Sequence, residues 1–365
     1  MANKLKDYVL VVVFILVIFG FAIVNLIAED KDISRSERRK LQTFPEFKLD
    51  FFIDGSFIKD FEKYTLDQFV LRDTFRKVKA KVEYNVFGKK DNNKIFVKED
   101  EIYKMEYPLN ENSVTNSINK INKVIGKYLN ASNDIYYTIV PDKNYFLSGL
   151  DDHLTMDYDK FIKKYNDAFK NMKYISIVDS LSKEDYYRTD IHWKQEKIKN
   201  VADVIIEGMG NKPLDTEYTV KDLGNFYGTY YGQSALNIKP DTLKIVESKY
   251  TKSAKVYNYE NKKITDVYDL SKNASADRYD IYLSGPIPLL EITNNEVESG
   301  EELILFRDSF GSSITPYLME NYKKVYLVDI RYVSTDILDQ FITFKDKDVL
   351  FMYSTLILNN SNILK

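Results

Sequence analysis

Two stretches of this chain hold residue types that can do nucleophilic chemistry. The first is LILFRDSFGSS, Leu303 to Ser313. Leu303–Phe306 read as a short buried strand, and Arg307 and Asp308 as the turn that ends it. Phe310, Ile314 and Leu318 have the spacing of a following helix. Ser309 then falls at the carboxyl end of a strand, the edge at which open α/β sheets take their ligands. The free N–H groups of the first helical turn and the positive end of the helix dipole can hold a developing oxyanion beside it. Asp308 or Ser309 can equally be a plain helix N-cap, since Asp and Ser are preferred there.

The second stretch is YYRTDIHWKQEK, Tyr186 to Lys197. In an extended Asp-x-His step the side chains of Asp190 and His192 project to one side of the backbone. The carboxylate can then fix the imidazole tautomer and leave the other ring nitrogen as a base. Two bland readings compete. His192 as a metal ligand lacks company, because the chain has no Cys and only one other His, His153. His192 as a structural residue would pack on Trp193, the only Trp, which suits packing or a binding surface. His153, in GLDDHL, reads as a surface residue, with Asp151 and Asp152 beside it as a generic cation site.

Elements must bring these loops together. From Ile135 the chain alternates: strand 135–140, helix 158–169, strand 174–178, helix 194–209 with Gly210 as its C-cap. It resumes with strand 303–306, helix 310–321, strand 324–328, helix 334–342 and strand 349–353. Such alternation argues for a parallel sheet flanked by helices, which delivers both loops to one edge. Between the two runs, about 211–300 reads as a β-rich insertion, with short β-like runs at 254–259, 263–268 and 279–283. Ahead of the alternation, Ser56 to Gly88 has helical spacing, Lys94–Val97 and Glu101–Tyr103 look like a hairpin, and Ser113–Leu129 fits a second helix. The expected organisation is an anchor at 1–28, a linker and helical lead-in at 29–110, and the α/β body at 111–365.

Composition narrows the partners. Acids and bases nearly cancel, to a formal charge of −3, and are interspersed, so no nucleic-acid footprint is expected. Without Cys there is neither a disulfide framework nor a thiolate metal site; no metal or cofactor is expected. Tyr8 to Ala28 is apolar, uncharged and about 20 residues long, enough to span a bilayer. It exceeds a signal-peptide core and lacks a small-x-small exit, with Leu26 two positions before Ala28. Residues 8–28 are therefore expected to anchor the protein. Arg35, Arg38, Arg39 and Lys40 beyond the span prevent a clean orientation from basic residues alone. A short N-tail before a large domain suits a body outside the cytoplasm.

Together, TDIHW and the downstream LILFRDSFGSS resemble the SGNH-hydrolase-like proteins of polysaccharide O-acetylation. These are the alginate O-acetyltransferase AlgX/AlgJ-type domains and, more closely, the DHHW proteins of Gram-positive bacteria. SRSERRKLQTFPEF and DGSFIKDFEKYTLDQFVLRDTF match the family's lead-in, above all at Asp67, Gln68, Phe69, Arg72 and Asp73. VPDK at Val140–Lys143, NFYGTYY at Asn225–Tyr231, KPDT at Lys239–Thr242, YLSGPIP at Tyr282–Pro288 and DIRY at Asp329–Tyr332 follow in family order. The resemblance implies an SGNH-hydrolase-like α/β fold and a triad of Ser309 as nucleophile, His192 as general base and Asp190 as its orienter. It implies acetyl transfer through an acetyl-enzyme. Phe310, Gly228, Tyr332, Gly285, Trp193, Lys143 and Arg307 are candidate oxyanion or substrate contacts, and the N–H groups of Ser309 and Phe310, with a further donor such as Tyr332 or Gly228, can form the oxyanion hole.

Two positions depart from the family pattern. Ile191 replaces a second His, and alternation directs it away from the triad. After Gly285, Pro286 stands where the family has an Asn, and proline offers no donor of either kind. The leading expectation is a membrane-anchored O-acetyltransferase acting on a cell-envelope or secreted polysaccharide, supplied with acetyl groups by a membrane-bound O-acyltransferase partner. A carbohydrate acetyl esterase, or a catalytically weak polysaccharide-binding or assembly scaffold, is the alternative.

Overall fold

The computed structural model describes residues 2–34, 36–92, 94–147 and 153–365. Arg35 and the cation site read at Asp151 and Asp152 lie outside these. Two compact units emerge, Met1–Asn92 with Tyr231–Asn237, and Asn93–Tyr230 with Ile238–Lys365.

The first unit holds α1 (Ala2–Ile27), a two-stranded ladder of β1 (Ile33–Ser34) and β2 (Arg39–Lys40), then α2 (Leu49–Ile53), α3 (Ser56–Gln68) and α4 (Arg72–Asn85). One helix here, Lys4–Ile27, is long and apolar enough to cross a membrane. The periodicity from Ser56 to Gly88 suggests one helix, but two form. The chain breaks at Phe69–Leu71, with Leu71 at φ 60°. The break turns Phe69 onto Phe21 of α1, ring centroids 5.6 Å apart, and lets the Val70 N–H donate to Asn25 Oδ1 at 2.9 Å. Charge fastens the lead-in. Asp67 accepts from Arg39 and from the Gln42 N–H, and Glu37 meets Arg39, Arg72 and Arg76. The Arg39 hydrogen bond holds the Asp67 carboxyl down at about 2.

The second unit begins with the hairpin β3 (Ile95–Lys98) and β4 (Glu101–Lys104), as its pattern suggests, and continues through α5 (Glu111–Tyr128), β5 (Ile135–Val140), α6 (Tyr158–Ala168), β6 (Lys173–Tyr174) and α7 (Lys199–Gly208). Next come β7 (Thr219–Phe226), α8 (Thr229–Ser234, counted with the first unit from Tyr231 on), β8 (Asp241–Glu247), α9 (Lys249–Ser253), β9 (Lys255–Asn258), β10 (Lys263–Thr265) and β11 (Leu289–Thr293). The unit closes with β12 (Glu302–Arg307), α10 (Phe310–Leu318), β13 (Lys324–Val328), β14 (Asp348–Ser354) and α11 (Thr355–Leu358).

One sheet of eight strands, ordered β10-β9-β11-β13-β12-β14-β5-β6, organises this unit. From β13 to β6 all pairings are parallel, while β11, β9 and β10 add an antiparallel flank. Leu303 and Leu305 of β12 face one apolar cluster, with α7 and α10 residues, and Ile304 and Phe306 face the other, with α5 and α6 residues. Burial on both faces explains why the central strands read as unbroken apolar runs.

The segment 211–300 is only partly separate from the sheet. Its runs at 255–258 and 263–265 are the sheet's edge, whereas β7 and β8 form a hairpin of their own. That hairpin escapes the sequence pattern because seven of the eight β7 residues are exposed or half-exposed. Three other expectations change. Arg278–Ile281 is a 3₁₀ turn rather than a strand, because it folds Tyr279 and Tyr282 inward. The strand at 174–178 shrinks to Lys173–Tyr174 at the sheet edge, and 334–342 becomes a 3₁₀ helix, Thr335–Gln340, capped by Ser334. Gly210 does terminate α7, at φ 89°.

Candidate active site

β12 and α10 build the Ser309 turn. Asp308, wholly buried, accepts from the Phe310 N–H (3.0 Å) with Oδ1 and from the Ser354 N–H (2.7 Å) with Oδ2. The cap at the start of α10 is therefore satisfied by Asp308. The Ser309 hydroxyl makes no cap bond, stays partly exposed, and lies 2.7 Å from His192 Nε2. The capping role that Ser309 could have had belongs to its neighbour.

His192 sits on a tight hairpin and not on an extended step. Tyr186 bridges Trp193, and the Tyr187 N–H donates to the His192 carbonyl. Asp190 Oδ1 accepts from the His192 N–H at 3.1 Å and lies 2.5 Å from Nδ1. Its Oδ2 accepts from the Thr229 N–H at 2.5 Å. Around the hairpin, Asp241 takes the Arg188 and Thr189 N–H groups and the Thr189 hydroxyl, and that hydroxyl accepts from the Gly228 N–H. A Cβ at Gly228 would meet Asp190 Cβ at 2.3 Å and the Thr189 carbonyl at 2.4 Å, so only glycine allows this approach.

The imidazole ring is itself held. Tyr279 stacks on it at 3.8 Å between centroids, 8° from parallel, and Phe310 flanks it at 5.0 Å. Tyr279 donates to Ser313 Oγ (2.7 Å), as does Trp193 Nε1 (2.8 Å). Gln195 donates to the Ser313 carbonyl, tying the hairpin to α10. Tyr279, Gln195, Thr189, Asp241 and Asp308 thus all support the site. The sequence motifs contain all of these but Tyr279, and Asp308 is read there as a possible cap, but no spacing announces what Thr189, Gln195 and Asp241 hold.

The other nominated residues divide. Trp193 is wholly buried and packs edge-on against Phe310, so it supports the site from beneath. Arg307 is also wholly buried. It pairs with Asp329 (3.3 Å), lies under Gly311, and reaches the Gly285 carbonyl at 3.4 Å. Of the nominated N–H donors, Phe310 is engaged by Asp308, Gly228 by Thr189 and Gly285 by the Tyr282 carbonyl. The Ser309 N–H has no partner among the described residues. Tyr332 is exposed, beside the Arg331 guanidinium. His153 is half-buried, stacked on Phe96 at 3.9 Å, and so is less of a surface residue than its surroundings suggest.

Lys143 is buried and clamps the hairpin. Its ammonium donates to the Tyr187 and Arg188 carbonyls, 2.9 and 3.2 Å away, and lies over the Tyr103 ring. Burial pulls its pKa from 10.5 to about 8, against Glu101, Asp241 and Asp190. Between those two values the unfolded chain binds more protons, so stability rises with pH. Lys143→Met removes that dependence. In urea unfolding at successive pH values, wild type should gain about 3 kcal/mol on the variant between pH 8 and 10.5. A constant difference would contradict the burial of a charged Lys143.

The family model for DHHW proteins matches residues 155–328, a span that includes Asp190, His192 and Ser309. Two solved structures share the fold. A DHHW family protein from Eubacterium siraeum is 20% identical, with a TM-score of 0.60 over 75% of this chain and 97% of that one. PatB1 of Bacillus cereus is 18% identical, with a TM-score of 0.55 over 73% of this chain and 97% of that one, and a structure of it with a sulfonyl adduct aligns similarly. Uncharacterized protein MJ1281 of Methanocaldococcus jannaschii is 29% identical over 213 residues, 52% of this chain but 19% of that protein. This chain therefore spans about a fifth of that curated relative.

Proposed function

We propose that this chain is a membrane-anchored O-acetyltransferase whose body lies outside the cytoplasm and acts on a cell-envelope or secreted polysaccharide. The observation that carries the reading is the line from Ser309 Oγ to His192 Nε2, 2.7 Å, and from His192 Nδ1 to Asp190, 2.5 Å. The DHHW match over 155–328 supports the same reaction class. The apolar helix Lys4–Ile27 supports an anchor.

The chemistry follows from those contacts. Asp190 accepts the Nδ1 proton, so Nε2 is the basic nitrogen. Nε2 takes the Ser309 proton as Oγ attacks an acetyl carbonyl. The Ser309 N–H is the available main-chain donor for the resulting oxyanion. The imidazolium returns the proton to the leaving alcohol as the tetrahedral intermediate collapses to acetyl-Ser309. A sugar hydroxyl then loses its proton to His192 and attacks the acetyl carbon, and Ser309 leaves carrying that proton. No cofactor enters this cycle. A membrane-bound O-acyltransferase partner would supply the acetyl group, because a single span gives cytoplasmic acetyl donors no route to the body.

The reading is tested with the full chain in detergent, a chromogenic acetyl ester and an oligosaccharide acceptor. Acetylated sugar is expected, together with labelling of Ser309 by an arylsulfonyl fluoride, read by peptide mass. Free acetate alone, with the label present, would make the chain an esterase. Neither turnover nor label would leave the scaffold reading, in which the engaged N–H groups and Pro286 leave the site without an adequate oxyanion hole.

A further inference from the structure

We propose that α3 and α4 lie in the membrane interface, with the Phe69–Leu71 corner immersed among lipid acyl chains beside α1. This rests on the reading of α1 as a membrane span.

Of the apolar side chains of α4 and its flanks, Ala80 is buried, and the others are exposed or half-buried. Leu71 is 63% exposed, Phe75 46%, Val78 53%, and Val86, just beyond the helix, 71%. With half-buried Val82 they form a stripe about 80° wide at 100° per residue. Exposed Lys79 and Lys81 border the stripe on its two sides. A helix with an apolar face edged by lysines suits a lipid surface, since long lysine stems run along apolar surface while their ammoniums reach the headgroups.

Continuity with the span sets the occupant. Phe21 of α1 meets both Phe69 and Phe75, at 5.6 and 5.8 Å between ring centroids. Val13, Leu16, Val17 and Gly20 of α1 share an apolar groove with Val70 and Leu71. Phe21 is six residues before the end of α1, about 9 Å along its axis. That matches the ~5–10 Å at which interfacial helices sit. A groove whose one wall is a lipid-facing span is filled by acyl chains. Leu66, Phe61 and Ile58 extend the exposed apolar surface along α3. Asp67 and Gln68, on its last turn, instead hold the lead-in.

The test uses the absence of cysteine, which makes single-cysteine labelling clean. The full chain is reconstituted in phosphatidylcholine–phosphatidylglycerol vesicles with an environment-sensitive dye at Leu71→Cys, Val78→Cys or, within the span, Val13→Cys. Both α4 dyes should emit to the blue and lose most of their intensity to lipids brominated on the acyl chain, while resisting aqueous iodide. Dyes quenched by iodide would overturn the proposal. So would dyes shielded from both quenchers, which would mean a protein partner covers the stripe. The Val13 dye separates the failures. Quenched by brominated lipid while the α4 dyes are not, it leaves the anchor intact and the interfacial helices wrong. Unquenched, it removes the anchor reading itself.

Discussion

Ser309→Ala should lose about 10⁴- to 10⁶-fold in acetyl transfer, the range spanned by removal of single triad members. The substitution deletes one hydroxyl, which lies 2.7 Å from His192 Nε2. It spares the start of α10, because Asp308 and not Ser309 holds the Phe310 N–H. Stability should therefore move by less than about 0.5 kcal/mol, as at surface positions without a structural bond, and thermal melting checks this. The arylsulfonyl label should vanish with the hydroxyl. His192→Ala should cost a similar factor, and the double variant no more than either single one, because nucleophile and base act as a unit. Additive losses would mean that His192 serves something other than Ser309. Undiminished turnover in Ser309→Ala would remove it as the nucleophile.

The strand-to-helix turn at Ser309 was legible because it rests on local rules, whereas the Asp190–His192 contact forms on a hairpin and not on the extended step that suggested it. Unbroken apolar runs mark strands buried on both faces, and a helix-start residue has few possible roles. Whether Ser309 caps α10 was not a local question. It depended on Asp308 reaching both the Phe310 and Ser354 N–H groups, a contact that only the β12–β14 pairing brings about. The same limit explains the nominated contacts. Lys143, Trp193 and Arg307 carry groups that could meet a substrate, but type and position do not reveal burial, and all three are enclosed. The glycine N–H groups suit an oxyanion by type and position, but neither reveals a competing acceptor. Thr189 and the Tyr282 carbonyl already hold them. In the lead-in, helical spacing ran across Phe69–Leu71 because periodicity is blind to a left-handed residue such as Leu71. The break follows from apolar contact with α1, which is tertiary.

Asp190→Asn should lower acetyl transfer by about 10⁴-fold while leaving the Michaelis constant for the acetyl ester nearly unchanged. Each carboxylate oxygen faces a fixed backbone donor, the His192 N–H at Oδ1 and the Thr229 N–H at Oδ2. An amide has only one acceptor oxygen, so its NH₂ must face one of them. If the NH₂ replaces Oδ1, Nδ1 becomes the acceptor and the ring proton moves to Nε2, which can then no longer take the Ser309 proton. If it replaces Oδ2, the tautomer survives but the charge that stabilises the imidazolium is lost. The first orientation also leaves the buried His192 N–H without its acceptor, about 1–3 kcal/mol of stability. Tyr279 and Phe310 still frame the ring, so His192 stays in place while its chemistry changes. Sulfonylation of Ser309 should slow in parallel with turnover, since both need the same deprotonated hydroxyl. A variant that transfers acetyl and takes the label at nearly the wild-type rate would show that His192 does not depend on the carboxylate. One in which turnover falls but labelling does not would move the role of Asp190 from activating Ser309 to a later step, the attack of the sugar hydroxyl.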